Sequence, residues 1–145
     1  MRVKIQRVDD SLSMPEYKTA GSVCFDLMAR EEVVVAPGAL ARIPLNVIMR
    51  IPAGYMLMLV PRSSLPSKKP GLIYPHGVGV IDQDFCGPED EIQLQVLNIG
   101  KESITIARGE AIAQAGFVRI DRADIDEIEI AVAANRGGFG STDSK

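Results

Sequence analysis

Two carboxylates, a glutamine, an arginine with two serines, and a glycine-rich tail are the residues of this chain whose types and spacing could do chemistry. In PRSSLPSKK, residues 61–69, Arg62 is followed by Ser63 and Ser64 at a pattern that starts a helix. A guanidinium, two hydroxyls and free backbone N–H groups together make a phosphate site, and the same residues also read as a solvated turn with a serine cap. In HGVGVIDQDF, residues 76–85, Asp82 follows Val80 and Ile81, so a carboxylate stands at the end of an apolar run. Burying it there is costly without a partner, and beside a substrate it would orient or deprotonate water; a turn aspartate is the plainer alternative. Gln114 in RGEAIAQAGF and Asp26 in AGSVCFDLMA are polar residues inside apolar segments. The glutamine is either a satisfied amide or a ligand-facing donor, and either carboxylate could belong to a metal's surroundings, although no adjacent ligand set accompanies them. The last residues, NRGGFGSTDSK at 135–145, set a cation, a ring and backbone amides side by side. That mixture suits a flap closing on something anionic and flat better than a solvated tail.

The elements that must hold these groups read as strands. Val3, Ile5 and Val8 punctuate the start, Ile92, Leu94 and Val96 alternate with Gln93 and Gln95 in EIQLQVLN, and Ile104 and Ile106 alternate in SITIA. With VVVAPG and GYMLMLVPR they form short period-two runs separated by Pro, Gly and Asn. An all-β domain of about ten strands is expected, closed on itself as a jelly roll or barrel so that its edges are protected. Residues 121–134, DRADIDEIEIAVAA, change from a spacing of three to a spacing of two between isoleucines and predict a strand followed by a linker. One short helix is expected after Arg62, with Ser63 or Ser64 as its cap and Pro66 in its first turn.

The 145 residues fit one domain with a single core, without tandem repeats. At 46% hydrophobic and 24% charged the composition is that of a soluble globular protein, with no apolar run of bilayer length. MRVKIQRVDD alternates where a signal peptide would be continuously apolar, so none is expected. The net charge of −3 disfavours a general nucleic-acid surface, so any anionic ligand must meet locally placed positive charge. One histidine and two distant cysteines, Cys24 and Cys86, argue against zinc and for small buried thiols in a reducing cytoplasm.

In succession, AGSVCFDLMA, PRSSL, GVIDQDF, RGEAIAQ and RGGFGST resemble the five ordered motifs of the trimeric dUTPases, across residues 20–142. The resemblance implies an all-β, jelly-roll-like β-barrel over residues 1–134 and a flexible C-terminal arm over 135–145 that closes the active site. It also implies a cytoplasmic homotrimer with sites at subunit boundaries, hydrolysing dUTP to dUMP and pyrophosphate with Mg²⁺. That reaction keeps uracil out of DNA and supplies dUMP for thymidylate synthesis, with neither nucleic acid nor membrane as a partner.

Carried over by motif, Asp82 is expected to bond the sugar 3′-hydroxyl and to aim the attacking water, and Arg62, Ser63 and Ser64 to bind phosphate. Gln114 is expected near the phosphates and hydrated metal, and Asp26 in the outer shell of Mg²⁺ through water. Gly79 is expected among the substrate-binding residues, and Phe85 stands where a tyrosine usually packs under the deoxyribose. A phenyl ring keeps that packing without the phenol's hydrogen bond. In the arm, Arg136 is expected to reach the terminal phosphate, Phe139 to stack on uracil, and Ser141 and Thr142 to complete the phosphate contacts. Three departures stand out: His76 where an asparagine usually accompanies the base, the acidic FCGPEDEI segment in place of a shorter and more basic one, and a shortened spacing between Arg136 and Phe139. Two other functions compete. One is the related dCTP deaminase branch, for which Glu89 and Glu91 lie near the right place; the other is a non-catalytic trimer that binds nucleotide or a regulatory protein.

Overall fold

A computed structural model describes residues 1–131, 133–135 and 137 of the chain. Among them are eleven strands and one short helix: β1 (Lys4–Arg7), β2 (Phe25–Met28), β3 (Val33–Val35), β4 (Leu40–Pro44), β5 (Val47–Arg50), β6 (Tyr55–Pro61), α1 (Leu65–Lys68), β7 (Leu72–Ile73), β8 (Gly79–Ile81), β9 (Gln93–Asn98), β10 (Ile104–Ile106) and β11 (Ala111–Arg119). All pairings are antiparallel, in a four-stranded sheet β2-β11-β6-β8, a three-stranded sheet β4-β9-β7, and the pairs β1-β5 and β3-β10. The architecture is jelly-roll-like, as the alternating runs predict.

The alternation works as expected in β9, where Leu94 and Val96 are fully buried while Gln93 and Gln95 face outward. Leu57 and Leu59 of β6, Leu27 of β2 and Ile43 of β4 join them in one core. Each such side chain contributes roughly 1.5–3 kcal/mol by leaving water. Asn98 ends β9 inside that core at 0% exposure. Its Nδ2 donates to the carbonyls of Val35 (2.9 Å) and Glu102 (2.8 Å), and its Oδ1 accepts from the N–H of Gly100 (2.9 Å). A buried amide with its hydrogen bonds made is a tie between strands; unpaired, it would be a large cost.

A second tie surrounds Asn46, whose φ of 65° places it in the left-handed region between β4 and β5. Its Nδ2 donates to Asp9 O (3.0 Å), its Oδ1 accepts from Asp9 N–H (2.7 Å), and its own N–H donates to Glu91 Oε1 (2.8 Å). Arg30 Nε in turn donates to both oxygens of Glu91, at 2.9 and 3.1 Å. That partner holds the Arg30 guanidinium above its usual pKa.

Two expectations need correction. Residues 121–131 form no strand, and Ile125, Ile128 and Ile130 are 93%, 66% and 77% exposed. Extended chain becomes a strand only where a ladder partner takes its backbone groups, and among the described residues this segment has none. Ser64 does occupy the cap position of α1, with Pro66 in the first turn, but its side chain makes no capping bond. The backbone there has φ −81° and ψ −7°, already helical, which turns the hydroxyl away from the first N–H groups.

Candidate active site

At one end of the four-stranded sheet, three of the expected residues meet. Gln114 on β11 lies directly opposite Asp26 on β2 and opposite Val60 on β6, so amide and carboxylate share a face. Arg62, just past the end of β6, places Nε 2.9 Å from Asp26 Oδ1 and donates from Nη1 to Ala111 O at 3.3 Å. Gln114 Nε2 donates to Pro61 O at 3.0 Å, fixing the chain immediately before Arg62. The register of β11 slips between Ala111 and Ala113, and that irregularity exposes the carbonyl Arg62 uses. Ser63 is exposed and Ser64 half-buried, and neither hydroxyl makes a hydrogen bond among the described residues. A cation held by a carboxylate, two uncommitted hydroxyls and an amide make a cluster suited to an anion with its counter-ion.

The other expected residues gather on β8 and the turn after it. Gly79 is buried where β8 pairs with β6, and a Cβ there would sit 3.1 Å from Leu59 Cβ and 3.4 Å from Leu59 O, so a side chain fits only if Leu59 gives way by a few tenths of an ångström. His76 is exposed, with Nδ1 3.4 Å from Val78 O. Phe85 is 39% exposed and lines, with His76 and Gly79, a cavity of about 520 Å³. Glu89, Arg42, Gln93 and Gln95 also line it. The turn between β8 and Phe85 is pinned by Gln83 Nε2, which donates to Tyr55 O at 2.9 Å. Just before this region Tyr74 has its hydroxyl buried without a partner among the described residues, and burial pushes its pKa up.

Asp82 departs from the expectation of a buried acid: in the single chain it is exposed, at the rim of a separate cavity with Tyr55, Met56 and Arg122. The register explains where it lies. Ile81 pairs with Leu57 near the start of β6, whereas Arg62 follows its end. Asp82, one residue further, comes level with Met56, so six residues of extended chain separate it from Arg62, roughly 20 Å at 3.3 Å per residue. One copy of the chain therefore does not bring Asp82 and Arg62 to a single phosphate. Arg136, Phe139, Ser141 and Thr142 lie outside the described residues.

Two features were not singled out in the sequence. Gln93 and Gln95 carried a signal, as polar partners alternating with core residues, yet an outward-facing amide looks the same whether it meets water or a ligand. Arg42 carried none, because its neighbour Gln95 is distant in sequence and adjacent only in the β4–β9 ladder.

The dUTPase family model matches residues 10–143. This chain belongs to the dUTPase family. The deoxyuridine 5′-triphosphate nucleotidohydrolase of Thermoanaerobacter sp. (strain X514) is 38% identical over 97% of this chain and 96% of its own. That of Thermobifida fusca (strain YX) is 35% identical over 98% of this chain and 79% of its own. Among solved structures, a dUTPase from Streptococcus mutans superposes with a TM-score of 0.74 at 28% identity, covering 83% of this chain and 98% of the other. A Staphylococcus bacteriophage 80alpha dUTPase superposes at 0.82 over 97% and 98%, and its 23% identity speaks for the fold alone. No described helix of this dUTPase-family chain is long and apolar enough to cross a membrane.

Proposed function

We propose that the chain hydrolyses dUTP to dUMP and pyrophosphate in sites shared between copies of a homotrimer, in the cytoplasm, with Mg²⁺ accompanying the triphosphate. The observation that carries the shared site is the separation of Asp82 from the Arg62–Asp26–Gln114 cluster along β6. Completing one site takes the β8 end of one copy and the phosphate end of another.

In that site Arg62, with Ser63 and Ser64, binds the phosphates, while Phe85 and Gly79 hold the sugar and base of the nucleoside and His76 borders the base. Asp82 bonds the 3′-hydroxyl and aims a water at the α-phosphorus; the bond to the bridging oxygen breaks and pyrophosphate leaves. Phosphoryl transfer of this kind needs alignment and charge stabilisation more than a strong nucleophile. The donor set fits a hydrated magnesium ion, since Asp26 is already shared with Arg62 and, among the described residues, no three His, Cys, Asp or Glu side chains form a cage. When bound, Mg²⁺ neutralises phosphate charge, with Asp26 and Gln114 holding its waters. The arm at 135–145, set apart from the domain at 1–134, brings Arg136, Phe139, Ser141 and Thr142 over the substrate and excludes bulk water.

The deaminase alternative loses one of its two acids: Glu91 is committed to Arg30 and to the N–H of Asn46. Glu89 remains, on the wall of the base cavity. Separate reactions with dUTP, dCTP, dTTP and UTP, in Mg²⁺ and in EDTA, test the reading. The expected result is dUMP and pyrophosphate from dUTP alone, and only with Mg²⁺. Uridine products from dCTP would support the deaminase, and nucleotide binding without turnover would support the binding protein.

A further inference from the structure

We propose that Lys69 is a positioning residue for the phosphate site: paired with Glu110, it holds in place the turn that carries Ser63 and Ser64. The inference rests on the reading of Arg62, Ser63 and Ser64 as phosphate ligands. These three open a hydrogen-bonded unit. Leu65 N–H donates to Arg62 O at 2.9 Å, Lys68 N–H to Ser64 O at 3.0 Å and Lys69 N–H to Leu65 O at 2.8 Å, while Ser67 Oγ donates to Ser64 O at 3.0 Å. A single turn of helix does not keep its shape in water unaided, so the conformation of this one is set by what holds it.

Both ends of the unit are tied to consecutive residues. At the start, Arg62 Nη1 donates to Ala111 O at 3.3 Å; at the close, Lys69 Nζ lies 3.0 Å from Glu110 Oε2 and donates to Thr105 O of β10 at 2.7 Å. The Lys69 and Glu110 side chains are 19% and 25% exposed, whereas the adjacent Lys68 is exposed. Glu110 is itself fixed in place. Its Oε2 accepts from Ala107 N–H at 3.1 Å, its N–H donates to Ala107 O at 3.0 Å, and its carbonyl accepts from Ala29 N–H at 2.9 Å. A closed bracket results, from Arg62 through α1 to Lys69, across to Glu110, along one peptide to Ala111 and back to Arg62. Ser63 and Ser64 stand inside it with their hydroxyls uncommitted among the described residues. With its charge answered by Glu110, Lys69 supplies geometry: hydroxyls ordered before the triphosphate arrives spare the complex the cost of ordering them, and a displacement of about 1 Å in such a group is costly. Without the ammonium, Glu110 keeps its hold on Ala107, so the frame stays and the slack falls on the serine turn.

The test is the Kd of the non-hydrolysable α,β-imido analogue of dUTP, with Mg²⁺, measured by calorimetry on the full chain. The proteins are the wild type, Lys69→Met, Lys69→Arg, the pair Ser63→Ala with Ser64→Ala, and that pair combined with Lys69→Met. A loss of folded protein lowers the stoichiometry and leaves Kd unchanged. Lys69→Met is expected to weaken binding about five- to tenfold, and Lys69→Arg, which keeps a cation for Glu110, by no more than about twofold. Once both serines are removed, Lys69→Met should add less than about twofold, because nothing remains to be positioned. A Kd within about twofold of wild type in Lys69→Met overturns the assignment, and so does an equal loss with and without the serines, the mark of a structural role alone. Because binding is read, a wild-type chain that takes up the analogue but makes no dUMP overturns the hydrolase reading and leaves Lys69 to be decided by the same comparison. A wild-type chain that does not bind the analogue overturns both.

Discussion

Removing the Arg62 guanidinium leaves Asp26 facing Gln114 without a cation, and the consequence for stability follows from the geometry. The pair is 2.9 Å long, between side chains 29% and 14% exposed. At an effective dielectric constant of about 20, two charges about 4 Å apart attract by about 4 kcal/mol. Desolvation of the carboxylate, ordering of a long side chain and solvent around a partly open arginine offset most of that. Arg62→Ala is therefore expected to lower stability by about 1–2 kcal/mol, and Asp26→Asn by less, since Arg62 then turns to water. Together they should cost less than their sum, with a coupling of about 1 kcal/mol. Urea unfolding of the four proteins at one fixed concentration measures it, because an oligomer's stability depends on concentration. Strict additivity would refute the pair as a structural unit. Arg62→Ala should also depress kcat/KM for dUTP at saturating Mg²⁺, and an unchanged value would remove Arg62 from the phosphate site.

Asn98→Ala is expected to cost about 2–4 kcal/mol, since it strands the carbonyls of Val35 and Glu102 and opens space in the core; a melting temperature within a degree of wild type would contradict this. Tyr74→Phe removes a hydroxyl buried without a partner among the described residues, so it should be neutral or stabilising by up to about 1 kcal/mol, and a clear loss would reveal a partner for that oxygen. Asp9 is held below its usual 3.8 first by the Ser11 hydroxyl, then by Arg108. A depressed carboxyl contributes stability above its unfolded pKa and loses it as pH falls through the folded value, so Asp9→Asn should flatten the acid limb of stability below about pH 4. An acid limb identical to wild type would place the folded pKa of Asp9 back at its ordinary value.

Strand identity was legible because core and surface alternate within one segment: Ile92, Leu94 and Val96 declare their face regardless of what they pack on. The phosphate cluster was legible as residue types, and its assembly followed from strands β2, β6 and β11 being neighbours. What the sequence hid depends on partners. Residues 121–131 have the composition of a strand but join no ladder among the described residues, and the exposure of Asp82 depends on which end of β6 its strand meets. Arg42 shows the same limit, since its cross-strand neighbour Gln95 is 53 residues away and only the β4–β9 register brings the two together.

The shared site is the claim on which the rest depends, and subunit complementation tests it most directly. Asp82→Asn and Arg62→Ala are each expected to lose most turnover as pure oligomers. Co-refolded in equal amounts, they should regain activity, because a site drawing Asp82 from one chain and Arg62 from another is intact in about a quarter of random combinations. Recovery approaching that fraction of wild-type kcat for dUTP is the expected result. No recovery in mixed oligomers, with mixing confirmed by native mass spectrometry, would mean that both groups serve the same site from one chain, and would contradict the account.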